Sequence, residues 1–150
     1  GSRSDREWRC VKHTYILAAI SLFYNCVGPP EPDDGLIDNL PFVINTAEVF
    51  TFALRGNAYD DEESYDLSFA LDSNAVLATT LIVNEYSGSD STSIYVNNSA
   101  DSTLLWYLIL GNVVYTRSDT MGSNALGYPG KINVVGTNFN GVVDFQIVKK

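Results

Sequence analysis

TLLWYLILGNVVYTR, Thr103 to Arg117, is the stretch on which the fold turns. Leu104 to Leu110 is an unbroken apolar run that carries Trp106 and Tyr107. Gly111-Asn112 interrupts it, and Val113-Val114-Tyr115 resumes it. Two β-rich runs separated by a Gly-X pair predict a hairpin, with Gly111 at the positive-φ position of a type II′ turn. A run apolar on both faces predicts a strand in the middle of a sheet covered on both sides. The alternative is a buried helix, which the aromatic and β-branched content disfavours.

Strand patterning extends outward from this stretch. Phe50, Phe52 and Leu54 alternate with Thr51 and Ala53, and Tyr65, Leu67, Phe69 and Leu71 alternate with Asp66, Ser68, Ala70 and Asp72. Both patterns have the period of a half-buried strand. Asp72-Ser73-Asn74 reads as a turn into a strand from Ala75 to Tyr86, and Ser87 to Asp90 reads as the next turn. A short strand from Ser91 to Asn97 follows. SDTMGSNALGYPG, Ser118 to Gly130, is the longest loop of the body. The chain ends in a second predicted hairpin. Lys131–Thr137 turns through Asn138-Phe139-Asn140-Gly141 into Val142–Val148, with Val143, Phe145 and Ile147 inward and Asp144 and Gln146 outward. About eight strands with no helix between them indicate an all-β, antiparallel β-sandwich, immunoglobulin-like or jelly roll, and not βαβ units.

Length and composition agree. The chain has 150 residues, enough for one domain with a sizeable core. It is 45% hydrophobic and only 18% charged, with nine Tyr and seven Phe, which suits strands better than solvated helices. The net charge of −9 is uneven: residues 1–26 carry four Arg and Lys against two acids, +2, so the remainder carries −11. A body that acidic repels phosphate backbones, which argues against a nucleic-acid partner.

The first 41 residues obey a different grammar. Gly1-Ser2 reads as the remnant of a cleaved tag. A basic stretch ends at Lys12-His13, twelve mostly apolar residues run from Thr14 to Asn25, and Cys26 follows. A positive segment before a short apolar one is secretory-signal order, and twelve residues are too few to span a bilayer, which needs about 20. With a Cys at its end, the segment resembles the signal of a small bacterial surface lipoprotein. Phe23 and Asn25 stand where that pattern has a leucine and a small residue. The resemblance implies lipidation at Cys26, a membrane tether, and a place on the outer membrane or cell surface, or secretion. The competing reading makes Tyr15–Tyr24 part of the mature fold. Val27 to Pro41 reads as a linker, since GPPEPDDG within it is of a composition that stays extended. The expected organisation is residues 1–26 as tag remnant and signal, 27–41 as acidic linker and 42–150 as the sandwich. Cys10 and Cys26 both lie in the first part, so the body carries no disulfide framework.

Chemistry is sparse. The single histidine, His13, lies in the N-terminal segment, which leaves the body without a Ser-His or Cys-His pair or a histidine-bearing zinc site. No Gly-rich phosphate loop precedes a helix. A non-catalytic role is therefore expected, with no cofactor apart from calcium. Asp60, Asp61, Glu62, Glu63 and Asp66 are a candidate Ca²⁺ cluster, although the EF-hand spacing is absent; the alternative is a solvated acidic loop. Trp106, Tyr107 and Tyr128 are candidate ligand-binding aromatics. Trp106 and Tyr107, adjacent in a strand, must face opposite sides. The expected function is a binding or structural role at the cell surface, with an unidentified protein or glycan as partner. The alternatives are a carbohydrate-binding module that uses exposed Tyr and Trp, and a subunit of an extracellular assembly that uses the N-terminal apolar segment.

Overall fold

Nine strands follow one another in the computed structural model, which describes residues 34–89, 91–120 and 127–150. They are β1 (Phe42–Asn45), β2 (Val49–Tyr59), β3 (Glu62–Asp66), β4 (Val76–Asn84), β5 (Thr92–Asn98), β6 (Thr103–Ile109), β7 (Val113–Thr120), β8 (Pro129–Val135) and β9 (Phe139–Lys149). No helix occurs among the described residues, so none there is long and apolar enough to cross a membrane. Gly35 to Lys150 form one compact unit, and His13, Cys10, Cys26 and the apolar run before Cys26 lie outside the described residues.

The strands form two antiparallel sheets, β1-β2-β9-β4-β7 and β3-β8-β5-β6. The pairing has a simple logic. β5 pairs with β6, β4 with β7, β3 with β8 and β2 with β9. The chain is thus one long hairpin centred on the β5–β6 turn, with its double ribbon wound so that successive pairs alternate between sheets. That is a jelly roll, and it excludes the immunoglobulin arrangement. At the centre, Asn98 fastens the turn: its side-chain oxygen accepts from the amides of Ala100 and Ser102, both at 2.9 Å, and Asp101 takes a positive φ.

The alternating residues fill the space between the sheets as the period-2 pattern requires. Phe50, Phe52 and Leu54 of β2 and Val143, Phe145 and Ile147 of β9 are fully buried, against Ile94, Val96, Ile132 and Val134 of the other sheet. Phe50 and Phe52 both meet the ring of Tyr65, at 5.8 and 6.0 Å.

Four expectations change. Thr103–Arg117 is not a hairpin, because β6 lies in the four-stranded sheet and β7 in the five-stranded one. Gly111 has no positive φ, and a side chain there would meet nothing. The terminal hairpin dissolves likewise: β8 and β9 belong to different sheets, and Phe139 to Gly141 are already strand. In the third strand, pairing covers only Glu62–Asp66; Leu67, Phe69 and Leu71 keep the alternation and pack on the core without pairing. Residues 38–40 belong to the sandwich rather than to a linker. Asp38 bridges to Arg55, and Asn39 exchanges two 2.8 Å hydrogen bonds with the backbone of Asn57.

Candidate functional site

The two long sides of the sandwich are built differently. On one side, the β1 and β3 edges are sewn together. The Asn45 amide donates to the Asp66 carbonyl at 2.7 Å, and the Ser68 amide donates to the Asn45 side-chain oxygen at 3.0 Å. Lys149 donates to the Ala70 carbonyl at 2.8 Å, and Leu67, Phe69 and Leu71 cover the seam. β1 is only four residues long and follows Pro41, while β3 carries Glu62, Glu63 and Asp66. Short, charged edges of this kind resist further pairing.

On the opposite side the only charges on the two edge strands are Arg117 and Asp119, at one end of β7. Among the described residues β6 and β7 are the last strands of their sheets, each with one edge that no described strand pairs, and no residue from Ser102 to Thr116 is charged. The chain most apolar in sequence is here the most exposed: Trp106 is 57% accessible, Leu110 65% and Val114 74%. The expectation of a strand covered on both faces fails for this reason.

Between the two edges runs an apolar cleft of about 580 Å³. Residues Leu104 through Leu108 all line it, whichever way their side chains point, so the cleft follows the backbone edge of β6. Across from it stand Val113, Tyr115 and Arg117 of β7, whose ladder partners Val83, Leu81 and Thr79 are buried core residues. Cross-strand partners share a face, so these β7 side chains point between the sheets. Leu81 lies beneath them. Arg117 marks a polar end and is held by Asp119 at 2.7 Å, which raises its pKa further.

Tyr107 props the seam. Its ring touches Phe145 at 5.6 Å and Tyr115 edge-on at 5.4 Å. Burial pushes its hydroxyl up to about 12, against a pull from Arg117. Trp106 faces outward, nearly parallel to Tyr95 at 6.2 Å and 9°. The two neighbours therefore do face opposite sides. Tyr128 sits elsewhere: Pro129 pairs with Asn98, beside the β5–β6 turn, whereas Trp106 pairs with Tyr95 further along. The three aromatics chosen from sequence are not brought together. Leu81, Val113, Tyr115 and Arg117 lie outside those three; the charge-free run through Thr116 signals Val113 and Tyr115, and no local pattern signals Leu81 or Arg117.

The acidic residues do not converge. Glu63 turns toward Tyr65, whose hydroxyl donates to it at 3.3 Å, while Glu62 and Asp66 face solvent. Alternation along β3 splits the set between faces, and among the described residues no three acids, histidines or cysteines gather to hold a metal ion. Asp60 and Asp61 lie in the exposed turn before β3.

No family model matches the chain, and no curated protein matches it in sequence. Among solved structures it is similar to one of the disulfide-linked pili formed by Bacillus endospore appendages. That match has 8% identity and a TM-score of 0.46, and covers 73% of this chain and 88% of the other. It is also similar to the enzymatically active domain of tailspike protein 4 of bacteriophage CBA120, with 11% identity, a TM-score of 0.35, and coverage of 73% and 18%. Likenesses of this degree carry no argument about function, which rests on the chain's own geometry.

Proposed function

We propose that this chain is a non-catalytic interaction protein that takes up an extended apolar strand along the free edge of β6. The observation that carries the reading is the course of the cleft. It tracks five consecutive residues of an unpaired strand edge, where backbone donors and acceptors give affinity and alternate side-chain positions give selectivity. A small-molecule pocket would instead converge on a few polar groups. The smaller sheet has four strands against five, and an added strand would lie over the inner face of β7, supplying the fifth.

Selection of displayed twelve-residue peptides on the full chain tests this. Uncharged, apolar peptides are expected, and their binding should slow hydrogen exchange in Leu104–Leu108. Selected peptides that are charged, or that protect amides on the β1–β3 side, would count against it.

The nearly parallel Tyr95 and Trp106 rings support a second reading, a sugar platform on the outer face of the smaller sheet. Asn133, the ladder partner of Tyr95, and Ser64, 2.8 Å from Asn133, extend it with polar groups. A glycan array that finds no ligand lost on Trp106→Ala would remove that reading.

A further inference from the structure

We infer, building on the strand-uptake reading, that the strand taken up is Thr14–Asn25 of a second copy of this chain, so that copies join head to tail.

The cleft and this segment match in chemistry. TYILAAISLFYN carries no charge over twelve residues, and neither does the edge it would join. Laid out as a strand, it places Ile16, Ala18, Ile20 and Leu22 on one face. That face suits Leu81, Val113 and Tyr115. The other face carries Leu17 and Phe23 and would continue the apolar outer surface of Trp106 and Leu108. β6 offers seven residues of ladder, and twelve are more than enough to fill it. Among the described residues the other sheet edges compete poorly: β3 is acidic, β1 is only four residues long, and β7 carries Arg117 and Asp119.

Charge favours the encounter. Residues 1–26 carry +2 and the remainder −11, so the segment of one copy is drawn to the body of another.

Placement favours a second copy over the same one. Near the start of the described residues, Asp38 bridges to Arg55 on β2, at the β1 end of the five-stranded sheet. The cleft is at the β7 end of that sheet. The point of attachment and the acceptor edge therefore lie at opposite ends of one sheet. A contact between two unlike surfaces so placed joins copies head to tail, into a ring where the rotation closes and an open filament where it does not. The residues from Asn25 to Asp38 span up to about 40 Å when extended, and the composition of GPPEPDDG favours an extended spacer. On this reading Thr14–Asn25 is retained in the working protein, in place of its removal as a lipoprotein signal before Cys26.

The test is a complementation experiment with the full 150-residue chain, read by light scattering behind a sizing column, with circular dichroism to verify the fold. Wild type is expected to grow in mass with concentration. Ile20→Lys, with a spoiled segment and an intact cleft, and Tyr115→Lys, with the reverse, should each associate at least a hundredfold more weakly and run as single copies. Mixed in equal amounts they should form a two-copy species and nothing larger. Val113→Lys replaces Tyr115→Lys if the latter does not fold. A mixture that stays single while wild type associates overturns the inference, as does a wild type that stays single at every concentration. If Ile20→Lys still associates and Tyr115→Lys does not, the cleft takes some other strand, and strand uptake survives while this occupant falls. If neither substitution alters association, both fall together.

Discussion

A lysine placed at either of two neighbouring positions on β7 should have opposite consequences. Val114 and Tyr115 are adjacent, but Val114 points to solvent, 74% accessible, while Tyr115 points between the sheets, 39% accessible, into the cleft. Val114→Lys removes little burial and should change stability by no more than about 0.5 kcal/mol. Tyr115→Lys loses one edge-on contact, the one with Tyr107 at 5.4 Å. Such a pair contributes about 0.5–1.5 kcal/mol, and the lysine stem recovers part of the packing while its head reaches water. The expected loss is about 1 kcal/mol, which lowers the melting temperature of a body this size by roughly 4 °C. Strand uptake is another matter. A strand lying over β7 would cover the ammonium of Lys at position 115, and an unpaired charge buried in this way costs about 3 kcal/mol or more, a weakening of about a hundredfold. At position 114 the same charge stays in water and uptake is unaffected. Thermal melts by circular dichroism and association by light scattering read the two effects separately. The reasoning is refuted if the two variants behave alike in association. A fall of more than 10 °C for Tyr115→Lys would also refute it, because Tyr115 would then be core rather than cleft wall.

Other outcomes follow from the core and the electrostatics. Gly56→Ala would push a Cβ against the Phe139 ring and to 2.6 Å from its carbonyl oxygen, at the last regular pair of β2 before its bulge, so urea unfolding should show a loss of about 3 kcal/mol; a loss under 1 would contradict the packing. Burial, seconded by Glu63, pushes the Tyr65 hydroxyl up to about 12, and burial does the same for Tyr107. The folded chain therefore holds protons that the unfolded chain releases near pH 10, so stability is full below pH 10 and falls from there to pH 12. Tyr107→Phe should shallow that fall, and a flat profile for wild type would refute the burial of both hydroxyls. Millimolar Ca²⁺ should leave the melting temperature unchanged, since the acids around β3 are split between faces; a rise of several degrees would show that they converge on an ion.

Strand positions were legible from period-2 alternation, because the side of a strand that faces a core is written in every second residue. Phe50, Phe52 and Leu54, and again Val143, Phe145 and Ile147, face inward as read. Which strand pairs with which was not legible. Gly111-Asn112 and Asn138–Gly141 carry turn chemistry, and a chain that crosses between sheets needs the same chemistry as one that doubles back within a sheet. At the first crossing the Asn112 side chain accepts from the Tyr86 amide at 2.9 Å, a contact 26 residues away that no local signal announces. The character of Leu104–Leu110 was misread for a related reason. A strand apolar on both faces looks the same whether a sheet covers it or nothing does, and only the topology places it at an edge. The acidic run illustrates the limit for sites: its density suggested a cluster, and one strand's alternation was enough to disperse it.

The pairing of β2 with β9 sets the order of events when the chain is made. Val49 pairs with Val148, so about a hundred residues must be synthesised between one half of that ladder and the other, roughly 5–20 s at ordinary elongation rates. The β5–β6 turn, closed by Asn98 over a few residues, is the one place where the ribbon can begin early. From there the sheets must zip outward, and β2, with half its inner face in Phe, waits longest with Phe50 and Phe52 uncovered. The nascent body is thus most vulnerable to wrong pairing at the strand farthest from its nucleus, until β9 emerges.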